Sequence, residues 1–501
     1  MTYDFDLIVL GGGAAGLTAS GIGANLGVKT LMIERERHTV PDGAHPAKLG
    51  GDCTWTGCVP SKALLKAAKV AHQLRHAADY GLVTTAPEVD FKRVMDHVRH
   101  IRDDVFEEAD RPEIYEDMGI EVRVGTARFT DAHTVAIEAD GTAELVTGRF
   151  IIIATGGRAL VPPIAGLDTV PYLTNHSLFE QDQQPKRLAV VGAGPIGTEM
   201  AQAFQRLGTQ VTVLDMAPGI LGKDDAELTA LLRERLEEEG IQYMLGAAVE
   251  RVDPHEGGVR VTAQMDGQTR TVDADALLLA TGRRPNIEGL GLEEAGVAFT
   301  RRGITVDDRG KTSQSHIYAA GDVTGQFQFT HMSEHTAKVA ATSLILKVPT
   351  KVDTAHVPWV TYTDPELAHV GATEAQLKEK GERYEVYRFP YAKVDRAITD
   401  GDTIGLIKVF ATSLTGTILG ASILGAHAGD LIGAYALAMR NGISLRQISD
   451  TIHPYPTYGL GVRRAADQWY ARKQSVTFTR FLQTVFRYRG PVIEPDPDRI
   501  V

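Results

Sequence analysis

Twice in this chain a short apolar run ends in Gly-x-Gly-x-x-Gly and is followed by a second apolar run closed by a carboxylate. The first copy is Leu7 to Leu10, then Gly11-Gly12-Gly13-Ala14-Ala15-Gly16, then Val28 to Ile33 closing on Glu34. The second is Leu188 to Val191, then Gly192-Ala193-Gly194-Pro195-Ile196-Gly197, then Val211 to Leu214 closing on Asp215. In both copies the acid stands 18 residues after the last glycine. A strand, a glycine turn, a helix and a strand-end acid make up a dinucleotide fingerprint. The glycines let the backbone approach a pyrophosphate at the helix amino end, and the acid accepts from ribose hydroxyls. A plain structural glycine turn is the alternative. Each copy is later followed by a hydrophobic strand and Ala-Thr-Gly, Ile151 to Gly156 and Leu277 to Gly282. The duplication predicts two nucleotide-binding units and two bound dinucleotides.

Inside the first unit lies Gly50-Gly51-Asp52-Cys53-Thr54-Trp55-Thr56-Gly57-Cys58-Val59-Pro60-Ser61-Lys62, which holds both cysteines of the chain. A helical pattern from Ser61 to Gly81 begins just beyond them. A helix amino end is electropositive and eases ionisation of a thiol placed there. Two thiols this close predict a couple that opens and closes as a disulfide. Two buried structural cysteines are the alternative.

Composition narrows the partners. A net charge of -12 argues against a nucleic-acid binder. No secretory signal and no apolar run of about 18 residues is present, so the expected location is cytoplasmic, where a cysteine pair serves chemistry rather than stapling. The insert that carries the cysteines continues into a polar helical stretch from about Phe91 to Met118. Arg283 to Asn286 reads as a turn out of the second unit, followed by strands at Gly303 to Asp307 and Ile317 to Asp322. From about Val357 strands such as Ile404 to Phe410 and Thr417 to Leu424 alternate with helices and carry no glycine fingerprint, which suits an interface domain. The expected fold is α/β: two Rossmann-like, three-layer nucleotide-binding domains and an α+β carboxy-terminal dimerisation domain.

This order of motifs resembles the pyridine nucleotide-disulfide oxidoreductases, the flavoproteins that include dihydrolipoamide dehydrogenase, glutathione reductase and mercuric reductase, over residues 4 to 470. The resemblance implies an FAD-binding domain from 1–156 and 285–350, an NAD(P)-binding domain at 157–284, a dimerisation domain at 351–474 and a tail at 475–501. It assigns Gly11, Gly13, Gly16, Glu34, Gly51, Thr155, Gly156, Asp322 and Thr330 to FAD. Gly192, Gly194, Gly197, Asp215 and Gly282 fall to the nicotinamide nucleotide. Lys62 matches the lysine near the reactive edge of the flavin, and Glu199 the glutamate near the nicotinamide. Cys58 matches the flavin-proximal thiolate and Cys53 the thiol that exchanges with the acceptor. For Lys62, Glu199 and Asp322 the alternatives are a solvated helix lysine, a first-turn helix acid and a turn acid. Asp215 repels a 2′-phosphate and no arginine follows within seven residues, which favours NADH over NADPH. The implied assembly is a homodimer with each active site shared between chains, and no metal-ligating set is assigned.

The resemblance breaks in two places. Thiol-reducing members carry His-Pro-Thr-x-x-Glu as a proton shuttle; here Ile452-His453-Pro454-Tyr455-Pro456-Thr457-Tyr458-Gly459-Leu460 puts Tyr455 in the base position and Leu460 in place of the glutamate. A phenol with a pKa near 10 is a poor base at neutral pH. His453, two residues off the family position, is the substitute candidate. A Pro-Tyr dipeptide here resembles mercuric reductase, although the tail lacks that enzyme's cysteine pair. The expected acceptor is therefore a metal ion or another small oxidant, with a dihydrolipoyl or other disulfide substrate as the second reading. A slow redox-sensing or membrane-associated flavin-binding protein is the third. The cysteine motif departs at Asp52, Thr54, Trp55 and Thr56, and Trp55 is expected to reshape the acceptor pocket. Finally, Phe478, Phe481, Leu482, Val485 and Phe486 follow helical spacing beside Arg480, Arg487 and Arg489. That helix packs on the dimer or meets a membrane surface.

Overall fold

The computed structural model describes residues 2–39 and 46–494, and it divides into two compact units. The first comprises Met1–Ala193, Ala203–Met216 and Ala247–Val352. Its largest sheet has Phe5–Leu10 between Thr30–Glu34 and the long strand Thr142–Ile153, all parallel. Glu121–Val124 extends the sheet beyond Thr30–Glu34. The long strand serves two sheets. Its first half pairs antiparallel with Thr134–Ala139, which pairs with Thr126–Phe129, and its last residues pair in parallel with Ile317–Ala319.

Both faces of Phe5–Leu10 are covered, which is why its sequence is a nearly unbroken apolar run rather than an alternating one. Ile8 and Leu10 face the meander side with Phe129, Val135 and Ile153. Leu7 and Val9 face helices Ala14–Asn25 and Thr330–Leu346, through Ala19, Ala337, Ala341 and Leu344. These small residues let the two helices lie close on the sheet. The three layers expected from the sequence are present.

The second nucleotide-type element repeats the first on a smaller scale: Arg187–Val191 lies between Gln210–Asp215 and Ala276–Leu279, all parallel. Where the first unit carries the cysteine insert, this one carries an antiparallel sheet of Ala248–His255, Gly258–Met265 and Gln268–Ala274.

The second compact unit contains Gly194–Gln202, Ala217–Gly246 and Asp353–Val501. A five-stranded antiparallel sheet runs in the order Pro358–Thr361, Glu366–Gly371, Ile418–Gly425, Leu406–Ala411 and Glu385–Pro390. Helices Ala428–Arg440 and Gly459–Lys473 cover it, burying Ile407, Ile423, Ile432, Tyr435 and Ala465. The buried Lys408 ammonium is met by Asp225, Glu227 and Glu374 at 2.8 to 2.9 Å.

Four local expectations are corrected. The helix after the cysteines starts at Cys58 and ends at Arg75, followed by a 3₁₀ turn Ala77–Tyr80, rather than running from Ser61 to Gly81. Pro60 falls inside the first turn, where a missing N–H costs nothing. The stretch from Phe91 to Met118 is not one helix: Phe91–Val105 widens into a π turn at Phe106–Asp110, and Pro112 opens a separate helix Pro112–Glu116. Arg283–Pro285 is no simple turn but a strand paired with Gly157–Ala159. Of Gly303 to Asp307, only Gly303–Ile304 is strand. The tail helix forms as Val476–Phe486, with the Ser475 side chain accepting from the Phe478 N–H. Phe478, Phe481, Val485 and Phe486 are exposed along it. Among the described residues no helix is long and apolar enough to cross a membrane.

Candidate active site

The two glycine loops are built alike, atom for atom. Gly11 N–H donates to Ile33 O and Gly192 N–H to Leu214 O, both at 2.8 Å. Gly12 N–H donates to the Glu34 carboxylate at 2.8 Å, and Ala193 N–H to the Asp215 carboxylate at 2.6 Å. The strand before each Ala-Thr-Gly closes the loop from the other side, with Ala154 N–H on Leu10 O and Ala280 N–H on Val191 O at 2.8 Å.

The glycines are required by contact. A Cβ on Gly11 would stand 2.4 Å from Ala154 O, and one on Gly192 2.3 Å from Ala280 O, at φ values of +108° and +113°. A Cβ on Gly16 would fall 1.8 Å from Gly11 O. By contrast Gly156, Gly194 and Gly282 face open space, where a side chain would fill a cradle rather than strike the protein. Gly51 meets Gly13 backbone to backbone. Gly197 follows Gly194 within the first turn of helix Pro195–Leu207.

Glu34 is almost fully buried and also accepts from Glu36 N–H at 2.9 Å. Burial pushes its carboxyl up, against the pull of the two N–H donors. Each carboxylate oxygen keeps a further lone pair, as a ribose acceptor requires. Thr155 Oγ1 donates to Asn286 O at 2.8 Å and Asn286 Nδ2 donates to Thr155 O at 2.9 Å, which fixes the first Ala-Thr-Gly turn.

The structure holds Cys53 and Cys58 as thiols. Cys53 lies in the short helix Gly51–Trp55, half-buried; Cys58 is exposed as the first residue of the next helix. Cys58 Sγ is 3.3 Å from Thr330 Oγ1, the first residue of Thr330–Leu346. The hydrogen bond with Cys58, and then burial, push the Cys53 thiol far up. The pair is therefore asymmetric: Cys53 is half-buried at the short helix and Cys58 is exposed at the next helix start. Lys62 lies one turn on, its ammonium 3.3 Å from Ser61 Oγ.

The motif departures have distinct structural roles. Asp52 pairs with Arg283, whose Nε is 3.4 Å from Asp322. Asp322 is thus paired with a cation, and burial pushes its carboxyl up against the pull of Arg283. Thr56 Oγ1 donates to Asp52 at 3.2 Å, and Asn175 Nδ2 donates to Thr56 Oγ1 at 3.2 Å. Trp55 corrects an expectation: its ring is buried, 4.7 Å from His38 and 5.1 Å from Phe106, and its N–H donates to Leu49 O at 2.6 Å. It is a core residue.

In the second unit Glu199 is buried and accepts from Tyr362 N–H at 2.8 Å. Tyr455 is 70% exposed, and the Asp395 carboxylate pushes its phenol further up, so even less of it is ionised at neutral pH than of a free tyrosine. His453 Nδ1 lies 3.0 Å from Thr451 O. Leu460, in the place of the family glutamate, is buried beside a cavity of about 250 Å³ that Val394, Asp395 and Arg464 also line. The residues missed at the sequence level are Arg283, Asn286 and Asp110; the Arg-Arg-Pro-Asn run was the signal for the first two.

Two glycine loops of one design, one of them beside a dithiol at a helix start, fit a flavoprotein that exchanges electrons with a pyridine nucleotide. The chain belongs to the pyridine nucleotide-disulphide oxidoreductase family, whose model matches residues 5–340, with the family's dimerisation domain at 357–466. The family is FAD-dependent and uses NAD(P)H, and the dimerisation domain supports a homodimer. The chain is 36% identical to a mercuric reductase of Bacillus cereus over 92% of its own length and 71% of the relative's. It is 33% identical to a dihydrolipoyl dehydrogenase of Geobacillus stearothermophilus, over 92% and 95%. Among solved structures it resembles the Cu(II) complex of the HOCl-induced flavoprotein disulfide reductase RclA from Escherichia coli. That match has a TM-score of 0.80 and 29% identity, and covers 93% of this chain and 99% of the other.

Proposed function

We propose that this protein oxidises NADH and passes the electrons through Cys53 and Cys58 to a metal ion such as Hg(II) or another small oxidant. Bound FAD supplies a two-electron carrier between the nicotinamide nucleotide and the dithiol. The glycine loop with Gly13, Gly51 and Gly156 makes the cradle for its pyrophosphate, and Glu34 takes the ribose. Gly194 and Asp215 do the same for NADH, Asp215 favouring a free 2′-hydroxyl. Cys53 holds the proton of the reduced pair and Cys58 the charge, beside Thr330. An exposed soft thiolate suits a soft metal ion.

One observation carries the acceptor assignment. The side chain at the family's base position is an exposed tyrosine, and a phenol with a pKa near 10 is almost wholly protonated at neutral pH and cannot take up the proton. A dithiol–disulfide exchange needs a proton shuttle; capture of a metal ion by thiolates does not. Relatives named as mercuric reductases agree with this reading. A disulfide substrate is the second reading, favoured by the dihydrolipoyl dehydrogenases at similar identity.

An anaerobic NADH titration of wild type and Cys58→Ser, followed by visible absorbance, tests the assignment. The expected result is a long-wavelength thiolate-to-flavin band in wild type alone, with reoxidation by Hg(II) and not by lipoamide. Rapid reoxidation by lipoamide would overturn it in favour of a disulfide substrate.

A further inference from the structure

Cys53 is bracketed by two residues that each lean on a carboxylate story of their own. Asp52 before it is a carboxylate answered by Arg283. Thr54 after it is buried, and its Oγ1 donates to Asp110 Oδ2 at 2.5 Å. No cation pairs with Asp110 among the described residues. The side chain is 8% exposed, and burial pushes its carboxyl up against the hydrogen bond from Thr54.

Two features of the chain are shaped around this contact. Asp110 is the last residue of the π turn Phe106–Asp110, a wide turn of the kind that recurs at functional sites. Gly50 makes the room opposite. A Cβ there would stand 2.3 Å from Asp110 Oδ2 and 2.4 Å from Thr54 Oγ1, so only a glycine lets the carboxylate press against the cysteine turn. Among titratable groups, the Asp110 charge reaches Cys53 and Tyr115, whose phenol is pushed up to about 12 by burial and then by Asp110. His38, Lys48 and Arg102 gather round the Trp55 ring instead, and Glu107 on the same turn lies 3.7 Å from Arg111.

We infer that Asp110, acting through Thr54, is the positioning residue that keeps the proton on Cys53 and so assigns the thiolate of the reduced pair to Cys58. This deepens the proposed function and rests on its reading of the two cysteines as the redox pair. On reduction the S–S bond breaks and accepts two electrons from the pyridine nucleotide. The hydride that leaves the nucleotide brings one proton with its two electrons; that proton goes to the Cys53 sulfur, leaving one thiol, one thiolate and the oxidised nucleotide. A buried negative charge held on Thr54, the residue after Cys53, disfavours the ionised form of Cys53, and the exposed Cys58 keeps the charge. The Asp110 carboxylate thereby supplies a polarity that the missing histidine–glutamate pair would otherwise influence from outside.

The test is alkylation of the NADH-reduced holoenzyme by iodoacetamide across a pH series, with Cys53 and Cys58 labelling read separately by peptide mass spectrometry. Asp110→Asn retains an acceptor for Thr54 and removes only the charge. Cys53 labelling at about pH 8 is expected to rise about tenfold, the effect of one pKa unit, and the Cys53-to-Cys58 ratio to rise with it. An unchanged Cys53 profile would overturn the inference. Should the variant lose its flavin, Thr54→Val, which removes the hydroxyl that holds Asp110 to the cysteine turn, decides by the same readout, and an unchanged Cys53 profile there would also overturn it. If reductive titration shows no electrons entering the cysteines beyond those on the flavin, the redox-pair reading itself fails; uptake with an unshifted profile sinks only the role of Asp110.

Discussion

Arg283 lies with its Nε 3.4 Å from the Asp322 carboxylate, and the same guanidinium closes on Asp52, the residue before Cys53. One cation therefore ties the cysteine helix to the turn after strand Ile317–Ala319. Replacing Arg283 by Met leaves two carboxylates facing each other without a cation. The expected cost is about 2 kcal/mol, below the range for fully buried pairs because Asp52 is partly exposed. Urea unfolding measures it, and adding Asp52→Asn is expected to recover part of the loss.

Trp55→Leu is expected to destabilise the protein by roughly 2–4 kcal/mol, through lost packing on His38 and Phe106 and an orphaned Leu49 carbonyl. Because the ring is buried in the core, the ratio of kcat/KM for Hg(II) over lipoamide is expected to stay unchanged. A shift in that ratio would return Trp55 to the acceptor pocket.

Gly16→Ala and Gly194→Ala separate folding from binding. The first puts a Cβ 1.8 Å from Gly11 O, and the expected product is an unstable chain with little flavin. The second meets nothing within 4 Å, so fold and flavin content are expected to survive while the KM for NADH rises at least about tenfold. Flavin absorbance per protein and steady-state kinetics read the two outcomes.

Asp215 predicts a preference for NADH, and Asp215→Asn is expected to narrow the NADH-to-NADPH ratio of kcat/KM by about tenfold, since it lifts the repulsion of a 2′-phosphate. An unchanged ratio would show that the preference is set elsewhere.

His369 gives a pH signature. It is fully buried, with Nδ1 2.7 Å from Ser422 Oγ, and burial lowers its pKa to about 4. The unfolded chain binds the proton at about 6.5, so the stabilisation is complete above that pH and is lost as pH falls toward 4. Asp224, raised to about 6 by burial, acts in the opposite sense: its contribution is present below 3.8 and lost as pH rises through 6. Comparing wild type with His369→Gln isolates the first term. The variant is expected to show a stability less steeply lost between about pH 6.5 and 4.

What could be read from the sequence follows the range of the contacts. The glycine loops, their acids and the Ala-Thr-Gly turns were legible because each is local and occurs twice. The tail helix was legible from its spacing, and the carboxy-terminal sheet from its alternation. Arg283 was not, because its partner Asp52 is 231 residues away and nothing local marks an arginine as buried. The break at Phe106–Asp110 was hidden by good helix formers on both sides, and the carboxylate it delivers finds Thr54 across 56 residues. Trp55 was misplaced because a tryptophan between two reactive cysteines looks functional until its burial is known.

The strand Ile317–Ala319 pairs with Thr142–Ile153, and helix Thr330–Leu346 packs on Ala14–Asn25, so the first nucleotide unit closes with residues made last among its parts. On a chain emerging from the ribosome, Arg187–Val191, Gln210–Asp215 and Ala276–Leu279 are all available before that closure. The second glycine-loop unit can fold while the first is still open, with one apolar face awaiting its helix. The glycine loop made first during synthesis is thus the last to be enclosed, its final wall arriving with residue 346.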